Sequence, residues 1–81
     1  MNFKIHFADK KNEWYTESFF TGTNNEVIDF VLNKLSLKGK KKSREHYRAW
    51  VYNNKGQRVY AAFVDNETKE IERYDNFNKP I

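Results

Sequence analysis

The sequence predicts an α+β fold, a two-layer sandwich in which one helix covers one face of an antiparallel sheet of about five strands, in the order β-β-α-β-β-β. Two observations predict it. Apolar residues recur at helical spacing in only one segment, which begins at Asn24. The other apolar segments alternate with polar residues or are rich in β-branched and aromatic side chains, which is typical of strands. Because one helix covers one face of such a sheet, we expect the other face to be open.

The N-terminal residues predict a pair of strands. In Asn2–Ala8, large apolar residues at positions 3, 5 and 7 alternate with polar ones. A polar turn follows, and residues 14–20 predict a second strand because they are rich in β-forming residues. Either face of this second strand would combine aromatic and polar side chains. We therefore expect it at an edge of the sheet, with Glu17 or Thr16 facing solvent.

A capping box predicts where the helix begins. In this motif the Thr23 hydroxyl accepts a hydrogen bond from the Glu26 amide, and the Glu26 carboxylate accepts one from the Thr23 amide. The helix therefore begins at Asn24, and Gly39 is its predicted C-terminal cap. Its apolar face is expected to pack on the sheet and consists of Val27, Ile28, Phe30, Val31, Leu32 and Leu35.

A central hairpin is predicted over residues 46–64, with its turn at residues 53–56. If Gly56 takes the left-handed position of a three-residue loop, Asn53 faces Gln57. Continuing that register gives a core face on which Val51 lies opposite Val59, Ala49 opposite Ala61 and Tyr47 opposite Phe63. The open face of the hairpin then carries Arg48, Trp50, Tyr52, Arg58 and Tyr60.

A fifth strand is predicted over residues 69–74. A three-residue turn before it would place Ile71 opposite Phe63 on the core face and Tyr74 opposite Tyr60 on the open face. Trp50, Tyr60 and Tyr74 would then form an aromatic row across three strands.

Length and composition limit the class of protein. We expect one domain over residues 1–75 and a loosely held tail over residues 76–81. Seven Phe, five Tyr and two Trp favour a folded domain over disorder. The lack of cysteine excludes disulfides and favours a cytoplasmic location, and no apolar run is long enough to cross a membrane. We expect neither a metal nor a cofactor, since no ligand spacing or phosphate-binding glycine motif is present.

Charge is segregated along the chain, whose net charge is +4. An acidic segment covers residues 65–75, and it follows a basic cluster that we define as Lys38, Lys40, Lys41, Lys42, Arg44 and Arg48. Such a cluster attracts polyanions. The separation of charge also allows two copies to associate head to tail as a homodimer.

The predicted open face favours nucleic-acid binding, with RNA before DNA. Aromatic side chains stack on unpaired bases, while Arg and Lys neutralise phosphates. On this interpretation the chain is a small non-enzymatic binding protein, a regulator or an inhibitor. Its predicted nucleic-acid-binding residues are the basic cluster together with Trp50, Tyr52, Arg58, Tyr60 and Tyr74.

Two alternatives remain open. Trp, Tyr and Arg are enriched in the hot spots of protein interfaces, so the same face could bind a host protein. The chain would then be an inhibitor or adaptor of the phage or mobile-element type, which blocks a host enzyme, a toxin or a defence complex. The second alternative is a small metal-independent ribonuclease, in which His6 and His46 serve as acid and base.

Overall fold

The sheet and the helix are arranged as predicted. The computed structural model describes residues 1–9, 15–36, 47–65, 68 and 70–77. In chain order they form β1 (Asn2–Ala8), β2 (Tyr15–Thr21), α1 (Asn24–Ser36), β3 (Arg48–Tyr52), β4 (Arg58–Val64) and β5 (Ile71–Asp75). The five strands make one antiparallel sheet in the spatial order β2-β1-β3-β4-β5, and α1 follows β2 and precedes β3 along the chain. The predicted α+β class and the order of its elements are thus confirmed.

Helix α1 begins where the capping box predicts. The Glu26 amide donates to Thr23 Oγ1 at 3.1 Å, and the Thr23 amide donates to Glu26 Oε1 at 2.8 Å. Val27, Val31 and Leu35 lie on successive turns of one side of the helix and are fully buried in the core. The predicted cap at Gly39 lies outside the described residues. No helix in the described part of the chain is long and apolar enough to span a bilayer.

Strand β2 is an edge strand, as its mixed pattern predicts. Among the described strands it pairs only with β1, and it ends one residue later than predicted, at Thr21. Phe20 points towards the helix, where its ring stacks on Phe30 with centroids 4.9 Å apart. Phe19 points the other way and is 72% exposed. Glu17 faces solvent, as predicted.

The central hairpin turns as predicted. Gly56 has a φ of +80°, and the Asn53 amide donates to the Gln57 carbonyl oxygen at 2.9 Å. Only glycine adopts that backbone conformation without strain, which explains the residue at position 56. Tyr52 lies opposite Arg58, which is also the predicted pair.

Beyond that pair the predicted register of the hairpin is wrong. Val51 lies opposite Tyr60 and not opposite Val59, because a bulge adds one residue to β4. A one-residue shift moves every later side chain to the other face of the sheet. Residues 60–64 therefore point opposite to their predicted directions. Tyr60, Ala62 and Val64 lie in the core, whereas Phe63 moves to the open face.

Tyr60 is a central residue of the core, with no exposed surface. Its ring stacks on Phe77 at a centroid distance of 6.2 Å, and Phe77 in turn meets the edge of Phe3 at 6.1 Å. The Tyr60 hydroxyl lies 2.9 Å from Arg73 Nε, which donates to it. Burial raises the pKa of this hydroxyl above its ordinary value of 10.0, and the hydrogen bond and charge of Arg73 oppose the rise.

The C-terminal part of the described chain completes this packing. The Asn76 amide donates to the carbonyl oxygen of Val59, the residue at the bulge, at 2.9 Å. Phe77 belongs to the partly buried residues that pack on the core. These two residues begin the segment 76–81, for which we expected loose attachment, and they are held by the contacts above. Residues 78–81 lie outside the described part of the chain.

Strand β5 keeps its predicted faces but not its predicted partners. Ile71 packs against the core and lies opposite Val64, one residue beyond the predicted Phe63. Tyr74 lies on the open face opposite Ala61, where Tyr60 was predicted. Both differences reflect the turn between β4 and β5. The Asp65 amide donates to the Glu70 carbonyl oxygen at 2.8 Å, so the pairing runs one residue further along than a three-residue turn would give.

Candidate nucleic-acid interface

The open face of the sheet presents three rows of side chains that run across the strands, on the side opposite α1. The row nearest the hairpin turn, called the turn row, consists of Phe19, Lys4, Tyr52 and Arg58. The middle row consists of Glu17, His6, Trp50, Ala61 and Tyr74. The far row consists of Tyr15, Ala8, Arg48, Phe63 and Glu72.

Three rings form an aromatic patch, which we define as Trp50, Phe63 and Tyr74. The Trp50 and Phe63 centroids are 5.6 Å apart with the ring planes at 66°, and Phe63 and Tyr74 are 5.6 Å apart at 56°. Tyr74 is 50% exposed, while the other two rings are partly buried. In the middle row, Ala61 occupies the position that the sequence assigned to Tyr60. Phe63 of the far row contacts both Trp50 and Tyr74 instead.

The structure places the predicted binding residues in three groups. On the open face lie Arg48, Trp50, Tyr52, Arg58 and Tyr74. Tyr60 does not lie there, and its prediction as an exposed stacking residue is wrong because the bulge turns its ring into the core. Outside the described residues lie Lys38, Lys40, Lys41, Lys42 and Arg44.

Sequence reasoning missed four residues that border the open face, namely Lys4, Phe19, Lys55 and Phe63. Lys4 occupies an outward-facing position in a strand whose polar and apolar residues alternate, so the sequence predicts the face on which it lies. Phe19 was not, because Phe20 beside it is equally aromatic and either residue could point inward. Phe63 was assigned to the core because the sequence gives no sign of the bulge.

A groove of about 710 Å³, which we call the turn groove, lies at the end of the turn row. Phe19 and Tyr52 flank Lys4 across the strands here, and the Tyr52 ring lies 5.2 Å from the His6 imidazole. The groove is lined by Asn2, Phe3, Lys4, His6, Phe19, Tyr52 and the turn residues 53–56. It therefore combines aromatic rings, two lysines and several amides.

Asn53 holds the end of the turn groove in place. Its side-chain Oδ1 accepts hydrogen bonds from the amides of Lys55 and Gln57, both at 2.9 Å, and its Nδ2 donates to Gln57 Oε1 at 3.0 Å. Its backbone oxygen accepts a further bond from the Gly56 amide at 3.0 Å. Together with the bond from the Asn53 amide to the Gln57 carbonyl oxygen, five hydrogen bonds to one residue fix the turn that carries Lys55.

Glu17 is the carboxylate that contacts Lys4 of the turn row. Its Oε2 lies 2.9 Å from His6 Nε2, with which it forms a hydrogen bond, and 3.9 Å from Lys4 Nζ. The side chains of Lys4 and Glu17 are each 48% exposed, so water screens their attraction and the pair contributes little to stability. Lys4 is therefore available for a stronger anionic partner.

A second groove of about 470 Å³ adjoins the aromatic patch towards the β5 edge of the sheet. Its lining includes Arg58, Phe63 and Tyr74. Arg58 pairs with Tyr52, which lines the turn groove, so the two grooves are neighbours across β3 and β4. The open face thus offers a continuous path from Phe19 at one edge to Tyr74 at the other.

The described residues include one of the two histidines of the ribonuclease alternative and no cluster of metal ligands. Within that part of the chain, no group of three or more His, Cys, Asp or Glu residues could hold a metal ion. His6 lies on the open face beside Glu17 and Tyr52. His46 lies outside the described residues, so the acid and base of the ribonuclease alternative stay a prediction.

Comparison of the chain with protein-family models, with curated proteins and with solved structures found no significant match.

Proposed function

We propose that the protein binds single-stranded nucleic acid, RNA before DNA, through the open face of its sheet. The observation that carries this proposal is the aromatic patch with its neighbouring cations. Trp50, Phe63 and Tyr74 are contiguous, and Arg48 and Arg58 lie beside Phe63 and Tyr52 in the flanking rows. Helix α1 packs on the opposite face and leaves this surface open.

The chemistry of the surface favours a single strand over a duplex. Unpaired bases expose their flat faces, and each base that stacks on an aromatic side chain contributes about 1 to 3 kcal/mol. In a duplex those faces are already stacked on one another, so a broad aromatic sheet face gains little from it. Several RNA-binding modules use a sheet face in this way.

Cations would supply the second, salt-dependent part of the binding free energy. Lys4, Arg48 and Arg58 lie on the open face together with two carboxylates, Glu17 and Glu72. We propose that the other members of the basic cluster, at positions 38–44 before β3 in the sequence, add contacts to the phosphates. Each phosphate neutralised on a single strand lowers the slope of log K against log salt by about 0.7.

Fluorescence anisotropy with a labelled 20-nucleotide RNA tests the proposal. We expect affinity to fall steeply as salt rises from low to physiological concentration, and a duplex of the same length to bind more weakly. Tryptophan emission should be quenched on binding. Quenching should persist in Trp14→Phe and disappear in Trp50→Phe, because Trp50 is the tryptophan of the aromatic patch.

Three results would count against this function. Absence of binding at low salt would exclude it and direct attention to a protein partner for the same surface, the role of an inhibitor or adaptor. Equal affinity for single strand and duplex would show that stacking contributes nothing. Cleavage of the RNA during incubation, lost in His6→Ala, would favour the ribonuclease alternative over simple binding.

A further inference from the structure

We infer that the turn groove is a subsite for one unpaired nucleotide, whose base stacks on Phe19 and whose phosphates lie near Lys4 and Lys55. This inference rests on the proposed function and adds a location to it. The groove has the volume of a small-molecule site, about 300 to 1,000 Å³ in typical proteins, and its 710 Å³ lies within that range.

Phe19 provides the stacking surface. Its side chain is 72% exposed, the largest exposed fraction among the apolar residues described, although it lies in a regular strand. The neighbouring Phe20 supplies the contact with the helix, so Phe19 is not needed to attach β2 to the core. A base on this ring would cover apolar surface that water now contacts.

Charge complementarity identifies the class of ligand. Among the described residues that line the groove, Lys4 and Lys55 are charged and there is no carboxylate. The contact of Lys4 with Glu17 is long, at 3.9 Å, and exposed. A phosphate can therefore replace that contact at little cost. Aromatic and cationic residues alternate along the turn row, which matches the alternation of base and phosphate in a nucleic-acid strand.

The groove is held in place before any ligand arrives. Tyr52 forms the wall opposite Phe19, and the His6 imidazole supports its ring at 5.2 Å. Asn53 is a positioning residue, because its side chain is engaged with the turn that carries Lys55. A site that is already ordered loses less conformational entropy when it binds.

Binding of an eight-nucleotide oligouridylate to Phe19→Ala tests the subsite. We expect its dissociation constant to rise about 5- to 150-fold, the equivalent of one lost base stack. Tyr15→Ala is the matched control, since Tyr15 is an exposed aromatic residue on the same strand and the same face but lies outside the groove. Because Tyr15 belongs to the open face but not to the groove, its dissociation constant should rise clearly less than that of Phe19→Ala.

A salt series separates the role of the lysine from that of the ring. Lys55→Gln should make the slope of log K against log salt less negative by about 0.7, whereas Phe19→Ala should leave the slope unchanged. Thermal unfolding of each variant verifies that the fold is intact. Both replaced side chains are exposed, so we expect no loss of structure.

The outcomes distinguish the subsite from the proposed function. If the unmodified protein binds the oligonucleotide and Phe19→Ala binds equally well, the subsite is wrong while nucleic-acid binding stands. If Phe19→Ala and Tyr15→Ala weaken binding to the same extent, contact along the edge strand replaces the groove as the explanation, and the subsite is again wrong. If the unmodified protein does not bind, the proposed function fails and the subsite fails with it.

Discussion

Replacing Tyr60 and Phe63 separately by alanine tests the bulge in β4. With the bulge, Tyr60 is a core residue with no exposed surface, and Phe63 lies on the open face against Trp50 and Tyr74. Without the bulge, the two residues would exchange places. The comparison therefore tests the strand register and the composition of the aromatic patch together.

The expected magnitudes differ clearly. Removal of a buried aromatic side chain costs about 3 to 5 kcal/mol, and Tyr60 would also lose its contact with Phe77. Phe63→Ala removes one edge-on and one tilted ring contact from a partly exposed position, which we expect to cost about 1 to 2 kcal/mol. The whole domain should have a free energy of unfolding of about 4 to 12 kcal/mol, so the two effects are separable.

Urea unfolding followed by circular dichroism measures both values. If Tyr60→Ala is too unstable to fold, Tyr60→Leu provides a milder change at the same position. A larger loss of stability for Phe63→Ala than for Tyr60→Ala or Tyr60→Leu would refute the bulged register. It would also return Tyr60 to the open face as a stacking residue.

Three further predictions follow from the side chains around the sheet. Tyr60→Phe removes the hydrogen bond to Arg73. Because the pKa of Tyr60 is raised in the folded state, the stability that its neutral hydroxyl contributes is full below pH 10 and declines as the pH rises above it. In urea titrations above that pH, the difference in free energy of unfolding between the unmodified protein and Tyr60→Phe should therefore shrink. Gly56→Ala should lower the free energy of unfolding by about 1 to 2 kcal/mol in the same assay. The φ of Gly56 is +80°, and an added Cβ would meet no atom within 4 Å, so only backbone strain acts. An unchanged urea midpoint would contradict the left-handed turn. Trp50→Ala should raise the dissociation constant for RNA about 5- to 150-fold in anisotropy while the protein remains folded by circular dichroism; unfolding instead would show that this ring is a core residue.

Much of the fold was predictable because its signals are local. Thr23 and Glu26 are three residues apart, and their reciprocal hydrogen bonds explain the start of the helix without reference to any other element. The alternation in β1 and the glycine in the hairpin turn are equally local. Each of these elements was found at or near its predicted position.

The register of β4 was not predictable because its deciding contacts are distant. Residues 59–64 are apolar at odd and even positions alike, so alternation does not reveal which side faces the core. In the structure the Tyr60 ring packs on Phe77, seventeen residues further along the chain, in a segment for which the sequence suggested no packing. Five predicted site residues lie on the open face, while Tyr60 was misplaced for this reason.

The two edges of the sheet carry a consequence for association between copies of the protein. Edge strands present unpaired backbone groups that can recruit strands from other molecules and start aggregation. β5 has exposed charges at Glu72, Arg73 and Asp75, and β2 has Glu17 at its centre. Pairing of an identical strand from a second molecule with either edge would bring these charges close to the same charges of that molecule or bury them. The edges therefore oppose fibre-like growth, while the aromatic surface between them stays available to a ligand of different chemistry.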